Sequence, residues 1–293
     1  MKIVVTGANG QLGGELCRML GDGAAPLDID TLDLTDGPAV LETIEHLRPD
    51  AAINCAAYTQ VDLAESEPEK AHAINATAVE HLAAACRGLD CTLMQVSTDY
   101  VFGGDAMRRT PYKETDAPSP QSVYAKTKLA GEQAAATVAK HFIVRTCGLY
   151  ARPDDPRAKN FVRTMLQLAA KGKPLRVVDD QCFCPSYVPH VARAMFFLLQ
   201  QSRAGQCGAG QGGPPWGIYH VVGGGSTTCY NFAVEIFRQA GIDISVEPIT
   251  TAEFGAAAVR PAYSVLDTTA YHSLGGPRMP DWKTALAEYM KSL

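Results

Sequence analysis

The stretch SVYAKTKLAGEQ (122–133) places one tyrosine among two lysines in a run of helix-forming residues. Residues four apart share a helix face and residues two apart do not, so Lys128 can stand beside Tyr124 while Lys126 points away. A phenol next to an ammonium loses its proton more readily, which suits an acid or base. One such pair arises easily by chance in a chain with 11 tyrosines, so the chemistry needs further parts. QVSTDYVFGG (95–104) supplies them: the hydroxyls of Ser97 and Thr98 and the phenol of Tyr100, directly after an apolar run. The carboxyl end of a parallel strand is where open sheets bind ligands. A third part is VVTGANGQLGGEL (4–16), with Gly7, Gly10 and Gly13 in G-x-x-G-x-x-G. It is close to the dinucleotide fingerprint G-x-G-x-x-G, whose glycines let a pyrophosphate reach a helix amino terminus. LDID (27–30) follows at the distance where an acidic residue takes an adenosine ribose hydroxyl. Asp28 is the first choice there and Asp30 the second. A carboxylate at that point opposes a 2′-phosphate and so favours NAD.

These parts need elements to hold them. Apolar runs at 2–6, 24–29, 50–57, 91–97 and 141–147 read as strands buried on both faces. Helical patterns at 10–20, 38–47, 68–87 and 121–138 alternate with them. Such alternation predicts an α/β fold: a Rossmann-like, doubly wound parallel sheet. Beyond ARPDDP (151–156), helices are expected at 157–171, 188–201 and 227–240, and DWKTALAEYMKSL closes the chain as another. The expected division is a dinucleotide-binding domain over 1–150 and a smaller, mostly helical substrate domain over 151–293. Strands near 175–180 and 218–223 are expected to return to the first sheet. RAGQCGAGQGGPPWG (203–217) reads as a flexible surface loop.

A chain of 293 residues, 46% hydrophobic and 19% charged, suits a soluble globular enzyme. Its net charge of −5 argues against nucleic-acid or anionic-membrane partners, and no apolar run is long enough to span a bilayer. The amino terminus turns glycine-rich too early for a secretory signal. The nine cysteines are odd in number and scattered, so reduced thiols in a cytoplasmic protein are expected. Cys182, Cys184, His190 and His220 have poor spacing for zinc.

With these motifs in hand, the chain resembles the extended short-chain dehydrogenase/reductase family, and within it the sugar-nucleotide 4-ketoreductases. The matching pieces are VTGANGQLGGEL, RPDAAINCAAYTQVDLAESEPEKAHAINA, STDYVFGG, PYKETDAPSPQSVYAKTKLAGE, RTCGLYA, IYHVVGGGSTT and RPAYSVLD, in order from residue 2 to about residue 267. The resemblance implies reduction, with NADPH and possibly NADH, of the 4-keto group of a dTDP-4-keto-6-deoxy sugar, dTDP-4-dehydrorhamnose first among them. Tyr124 would give a proton to the keto oxygen, Lys128 would bind the nicotinamide ribose and lower the phenol's pKa, and Thr98 would hold the carbonyl. Gly7, Gly10, Gln11, Leu12, Gly13, Asp28, Ala57, Thr59 and Ser97 would surround the cofactor. Asp99, Tyr100 and Arg260 would meet the substrate, with Arg260 at the diphosphate. Asn75 would make a structural hydrogen bond. The partner is then a small-molecule sugar nucleotide, and the protein a monomer or homodimer.

Two departures from the family pattern stand out. Gly148 in RTCGLY replaces a tryptophan thought to face the substrate, which leaves the sugar open. Some members bind magnesium through interface acids. Glu15 is present, but SYVPHVARA lacks its partner glutamate, so no metal is expected. Two other readings share these motifs. One is a sugar-nucleotide epimerase or 4,6-dehydratase, although Tyr100 stands where a dehydratase needs a base. The other is a non-catalytic, cofactor-binding regulatory subunit like that of methionine adenosyltransferase.

Overall fold

The computed structural model describes residues 1–155, 159–203 and 216–293. Its central sheet is parallel throughout: β1 Ile3–Thr6, β2 Ala24–Leu27, β3 Ala51–Asn54, β4 Thr92–Thr98, β5 His141–Thr146 and β6 Gly217–His220. The order is β2-β1-β3-β4-β5-β6. The chain turns from one side of β1 to the other between β2 and β3, so the crevice of this doubly wound sheet opens above the carboxyl ends of β1 and β3. All residues of β1 and β3 are buried, which is why they are apolar up to Thr6 and Asn54, whose side chains bond each other at 2.6 Å.

Helices α1 Gln11–Leu20, α2 Gly37–Leu47, α3 Ala78–Leu89 and α4 Val123–Ala135 connect these strands. The face carrying Val4, Leu93 and Ile143 is covered by Ile44 of α2 and by Leu82 and Cys86 of α3. The opposite face, with Ile3, Ile53 and Phe142, is covered by Leu12 and Leu16 of α1. The longer helices of the second half are α5 Phe161–Ala169, α6 Val188–Arg203, α7 Cys229–Ala240 and α8 Trp282–Met290. Helices α5, α7 and α8 enclose a separate core around Tyr150, Met165, Phe232, Trp282 and Leu286.

The structure redraws the expected traffic between the halves. The 218–223 run does return, as β6 beside β5 with Ile218 opposite Ile143. The 175–180 run does not: Leu175–Val178 pairs in parallel with Val246–Ile249. The position beside β5 is taken by β6, and Val177 buries itself in the C-terminal core. Helix α6 crosses back instead, laying Val191, Met195 and Leu198 into the α1 core. The glycine-rich 203–217 stretch lies, apart from its ends, outside the described residues.

The single helix expected over 68–87 is broken. Pro68–His72 leads into a π-helical turn, Ala73–Thr77, before α3 begins. Asn75 is the cause. Its side-chain oxygen accepts from Tyr58 N (2.8 Å), while its amide donates to Tyr58 O (3.2 Å) and Thr127 Oγ1 (3.0 Å). A π turn frequently marks such an inserted tie. A Cβ on Gly131 would lie 2.2 Å from Asn75 O, so only glycine lets α4 approach this closely. That approach places the Tyr124 end of α4 over the sheet's carboxyl edge.

Candidate active site

A cleft of about 940 Å³ opens above β1, β3 and β4. Every site residue expected from the sequence lines it except Arg260 and the second-choice Asp30. At one end, Ser122 caps α4 by accepting from Ala125 N at 3.2 Å. Tyr124 is therefore in the first turn of the helix and Lys128 one turn further on. Lys128 is buried and its Nζ donates to Val96 O at 2.7 Å, whereas Lys126 is exposed. Thr98 ends β4, with its hydroxyl in reach of the Tyr124 phenol. The same Oγ1 accepts from Tyr100 N at 3.2 Å, and the Tyr100 ring meets the Tyr124 ring edge-on at 5.9 Å.

Electrostatics correct one expectation. Burial pushes the Tyr124 phenol up to about 12; the Thr98 contact draws it down, and Asp99 and Cys147 oppose that. Lys128 is not among the groups that shift it, because its ammonium is turned to the Val96 carbonyl. A phenol in this state is protonated at neutral pH, as a general acid must be before it acts. Burial also pulls Lys128 down to about 8, against Glu132 and Cys55, which favour its charge. Glu132 itself is bound to Arg145 in a buried bidentate pair (2.9 and 2.7 Å) and accepts from Ser97 Oγ at 2.6 Å. The Ser97 hydroxyl is thus committed beneath the cleft, although Ser97 lines it.

The other end is a cradle of backbone. Gly7 has φ +66°, and a Cβ there would lie 2.6 Å from Ala56 N; a Cβ on Gly13 would lie 2.1 Å from Gly7 O. The amino terminus of α1 is thereby pressed against the β1 turn, and its first N–H groups and dipole face the cleft where an anion would sit. Asp28 sits at the cleft edge after β2, accepting from Asn9 N (2.7 Å) and Ile29 N (2.8 Å). The carboxylate is thereby oriented, with lone pairs left for a ribose hydroxyl. Asp30 is exposed and outside the lining. Gln11 doubles as a strut, accepting from Ala151 N at 3.0 Å and donating to Lys159 O at 3.2 Å.

Along their full length, residues 1–293 match the family described as RmlD substrate binding domain. The dTDP-4-dehydrorhamnose reductase of Streptomyces griseus is 40% identical over 99% of this chain and 93% of its own. The chain belongs to the dTDP-4-dehydrorhamnose reductase family. A crystal structure of the Clostridium acetobutylicum member superposes with a TM-score of 0.90 at 38% identity, covering 99% of both chains. That of the Bacillus anthracis member, in complex with NADP, superposes with a TM-score of 0.90 at 36% identity over the whole of both chains.

Against that family, the departure at Gly148 has a tertiary reason. Its φ is +54°, and a Cβ there would lie 2.6 Å from the Phe183 ring. A tryptophan has no room while Phe183 occupies that space. Arg260 departs from its expected place. Both of its terminal nitrogens bind Asp62, at 2.9 and 2.7 Å, with Tyr100 alongside. Its charge is already matched, and it stands behind the lining. Glu15, set aside as a metal ligand, is held by Arg18 and Arg152.

Among the lining groups that escaped the sequence reading are Cys55, Thr146 and Cys147. Thr146 ends β5 directly opposite Thr98, and among the described residues its buried Oγ1 has no hydrogen-bond partner. An orphaned buried hydroxyl beside the acid group suits a ligand amide or hydroxyl. Only knowledge that β5 neighbours β4 would have pointed to it.

The orientation of Asp28 makes a prediction for any member of this family. Asp28→Ala should raise the preference for NADPH over NADH about tenfold or more, since a charged hydrogen bond contributes roughly 1.5–3 kcal/mol. Steady-state rates with each cofactor measure it. An unchanged ratio would remove Asp28 from the ribose.

Proposed function

We propose that this protein reduces dTDP-4-dehydrorhamnose to dTDP-L-rhamnose with NADPH, tolerating NADH. The observation that carries this reading is one cleft that joins a glycine-built dinucleotide cradle to the Thr98–Tyr124–Lys128 group. The residues fit the cofactor: the crowding at Gly7 and Gly13 leaves backbone N–H groups open to a pyrophosphate, and Thr146 offers an unused hydroxyl at the other end. When bound, reduced nicotinamide supplies the hydride for C4. Thr98 and Tyr124 hold the keto oxygen, and Tyr124 gives it the proton as negative charge develops there. A phenolate is a weaker base than an alkoxide, so the transfer runs downhill even from a phenol at about 12. Lys128, fixed by its hydrogen bond to Val96 O, would hold the nicotinamide ribose. Arg260 would reach the diphosphate by exchanging Asp62 for it, as guanidinium binds both groups bidentately.

The dehydratase reading is disfavoured by Tyr100. Burial first, then the neighbouring Asp99, pushes its phenol far above the ordinary range, so it is no base for a sugar C–H bond. Steady oxidation of NADPH by purified protein with dTDP-4-dehydrorhamnose tests the assignment. Absence of turnover across a panel of dTDP-4-keto-6-deoxy sugars, with either cofactor, would leave the non-catalytic, cofactor-binding reading.

A further inference from the structure

Asp99, expected to meet the substrate, has both carboxyl oxygens engaged by protein groups instead, and the reduction as described does not call for its carboxyl. Asp99 is 2% exposed. Its Oδ2 receives the thiol of Cys147 (3.0 Å) and the hydroxyl of Ser264 (2.5 Å), and its Oδ1 faces Thr98 Oγ1 at 3.1 Å. The titratable groups around it are Tyr100, Tyr124, Cys147 and Cys184, none of them cationic, and among the described residues no lysine, arginine or histidine pairs with it. Arg260, which acts on neighbouring Tyr100, is held by Asp62. A buried carboxylate without a cation is costly, and such a site favours the neutral acid. Burial accordingly pushes the Asp99 carboxyl up, against the pull of the Ser264, Cys147 and Thr98 hydrogen bonds and of its own backbone N–H.

Counting hydrogens gives this a consequence. Thr98 has one hydroxyl hydrogen and two lone pairs. Tyr100 N occupies one lone pair. If Asp99 were ionised, the single hydrogen of Thr98 would point back at Oδ1. Thr98 could then only accept from Tyr124, and the Tyr124 proton would be turned away from the sugar. With a proton on Oδ1 the chain reverses: Asp99 donates to Thr98, and the hydroxyl hydrogens of Thr98 and Tyr124 both face the cleft.

We propose that Asp99 is a positioning residue that acts as a neutral acid, donating to Thr98 Oγ1 and so aiming the Thr98 and Tyr124 hydroxyls at the reacting oxygen. The proposal rests on the reductase reading above and deepens it. Asp99→Asn is the informative variant, because its amide can donate to Thr98 while its oxygen accepts from Ser264 and Cys147, as the neutral acid does. It should keep kcat within a few-fold of the parent protein. Asp99→Ala, which removes the donor, should lower kcat by roughly 10²–10³. Infrared spectra of the ligand-free protein at neutral pH should contain a buried protonated-carboxyl band that shifts in Ser264→Ala and is missing in Asp99→Asn. Asn as slow as Ala in a protein of unchanged melting temperature would overturn the proposal, as would an ionised Asp99 in the infrared. If Asp99→Asn fails to fold, the infrared comparison of parent and Ser264→Ala decides alone. If the parent turns over no sugar, the reductase reading fails, while the infrared result still reports on Asp99.

Discussion

Tyr124→Phe lowers kcat by roughly 10²–10⁴, the share of a positioned general acid, and leaves the melting temperature almost unchanged. Only one hydroxyl is lost, and its contact is with Thr98 in the cleft. Lys128→Met falls by a similar factor for a different reason: it removes the ammonium that would hold the nicotinamide ribose. Its stability should behave oddly for a buried substitution. The folded pKa of Lys128, about 8, lies below its ordinary 10.5. The unfolded chain therefore binds more protons between those values, and the parent gains stability as pH rises through that window. At neutral pH the lysine carries its full desolvation cost, about 3 kcal/mol by the size of the shift. Against this, methionine leaves Val96 O without its donor, at about 1–3 kcal/mol. Lys128→Met should thus be inactive yet at least as stable as the parent at neutral pH. The turnover of the parent should also fall above about pH 8 as Lys128 loses its proton. Lys126→Ala, at an exposed site facing away, should change little. A Lys126 variant as damaged as the Lys128 variant would undo the helical placement of the site. A sharp drop in melting temperature for Lys128→Met would show that desolvation is not the larger effect.

Gly13→Ala should cripple cofactor binding although alanine is the better helix former. Its Cβ would sit 2.1 Å from Gly7 O, a backbone atom that cannot swing aside. Either α1 or the β1 turn must move, at a cost of about 1–3 kcal/mol. That movement separates the amino terminus of α1 from the turn that shares the pyrophosphate. NADPH affinity should fall about tenfold to a hundredfold, by fluorescence titration, and the melting temperature should drop. Gly88→Ala is the control. It lies exposed in α3 with nothing within 4 Å of the new Cβ, so it should stabilise by about 0.4–1 kcal/mol. Equal behaviour of the two variants would mean that the α1 turn is not tightly packed.

The local chemistry of this protein is written in its sequence. Strands buried on both faces have to be continuous apolar runs, so β1, β3, β4 and β5 could be read directly. The spacing of Tyr124, Lys126 and Lys128 follows from helix geometry alone, and the glycines of the first turn announce a close backbone approach. Tertiary structure decided what depends on neighbours distant in the chain. Nothing local told Leu175–Val178 to pair with Val246–Ile249, because the free place beside β5 was contested by β6, and strand pairing is settled by which core each strand can enter. The π turn at Asn75 depends on Thr127, 52 residues away. That Arg260 is already paired, with Asp62 198 residues earlier, only the fold shows. The tuning of Tyr124 shows the same limit. Spacing places Lys128 near the phenol, but whether charge or burial dominates depends on how deeply the fold buries both, and here burial wins.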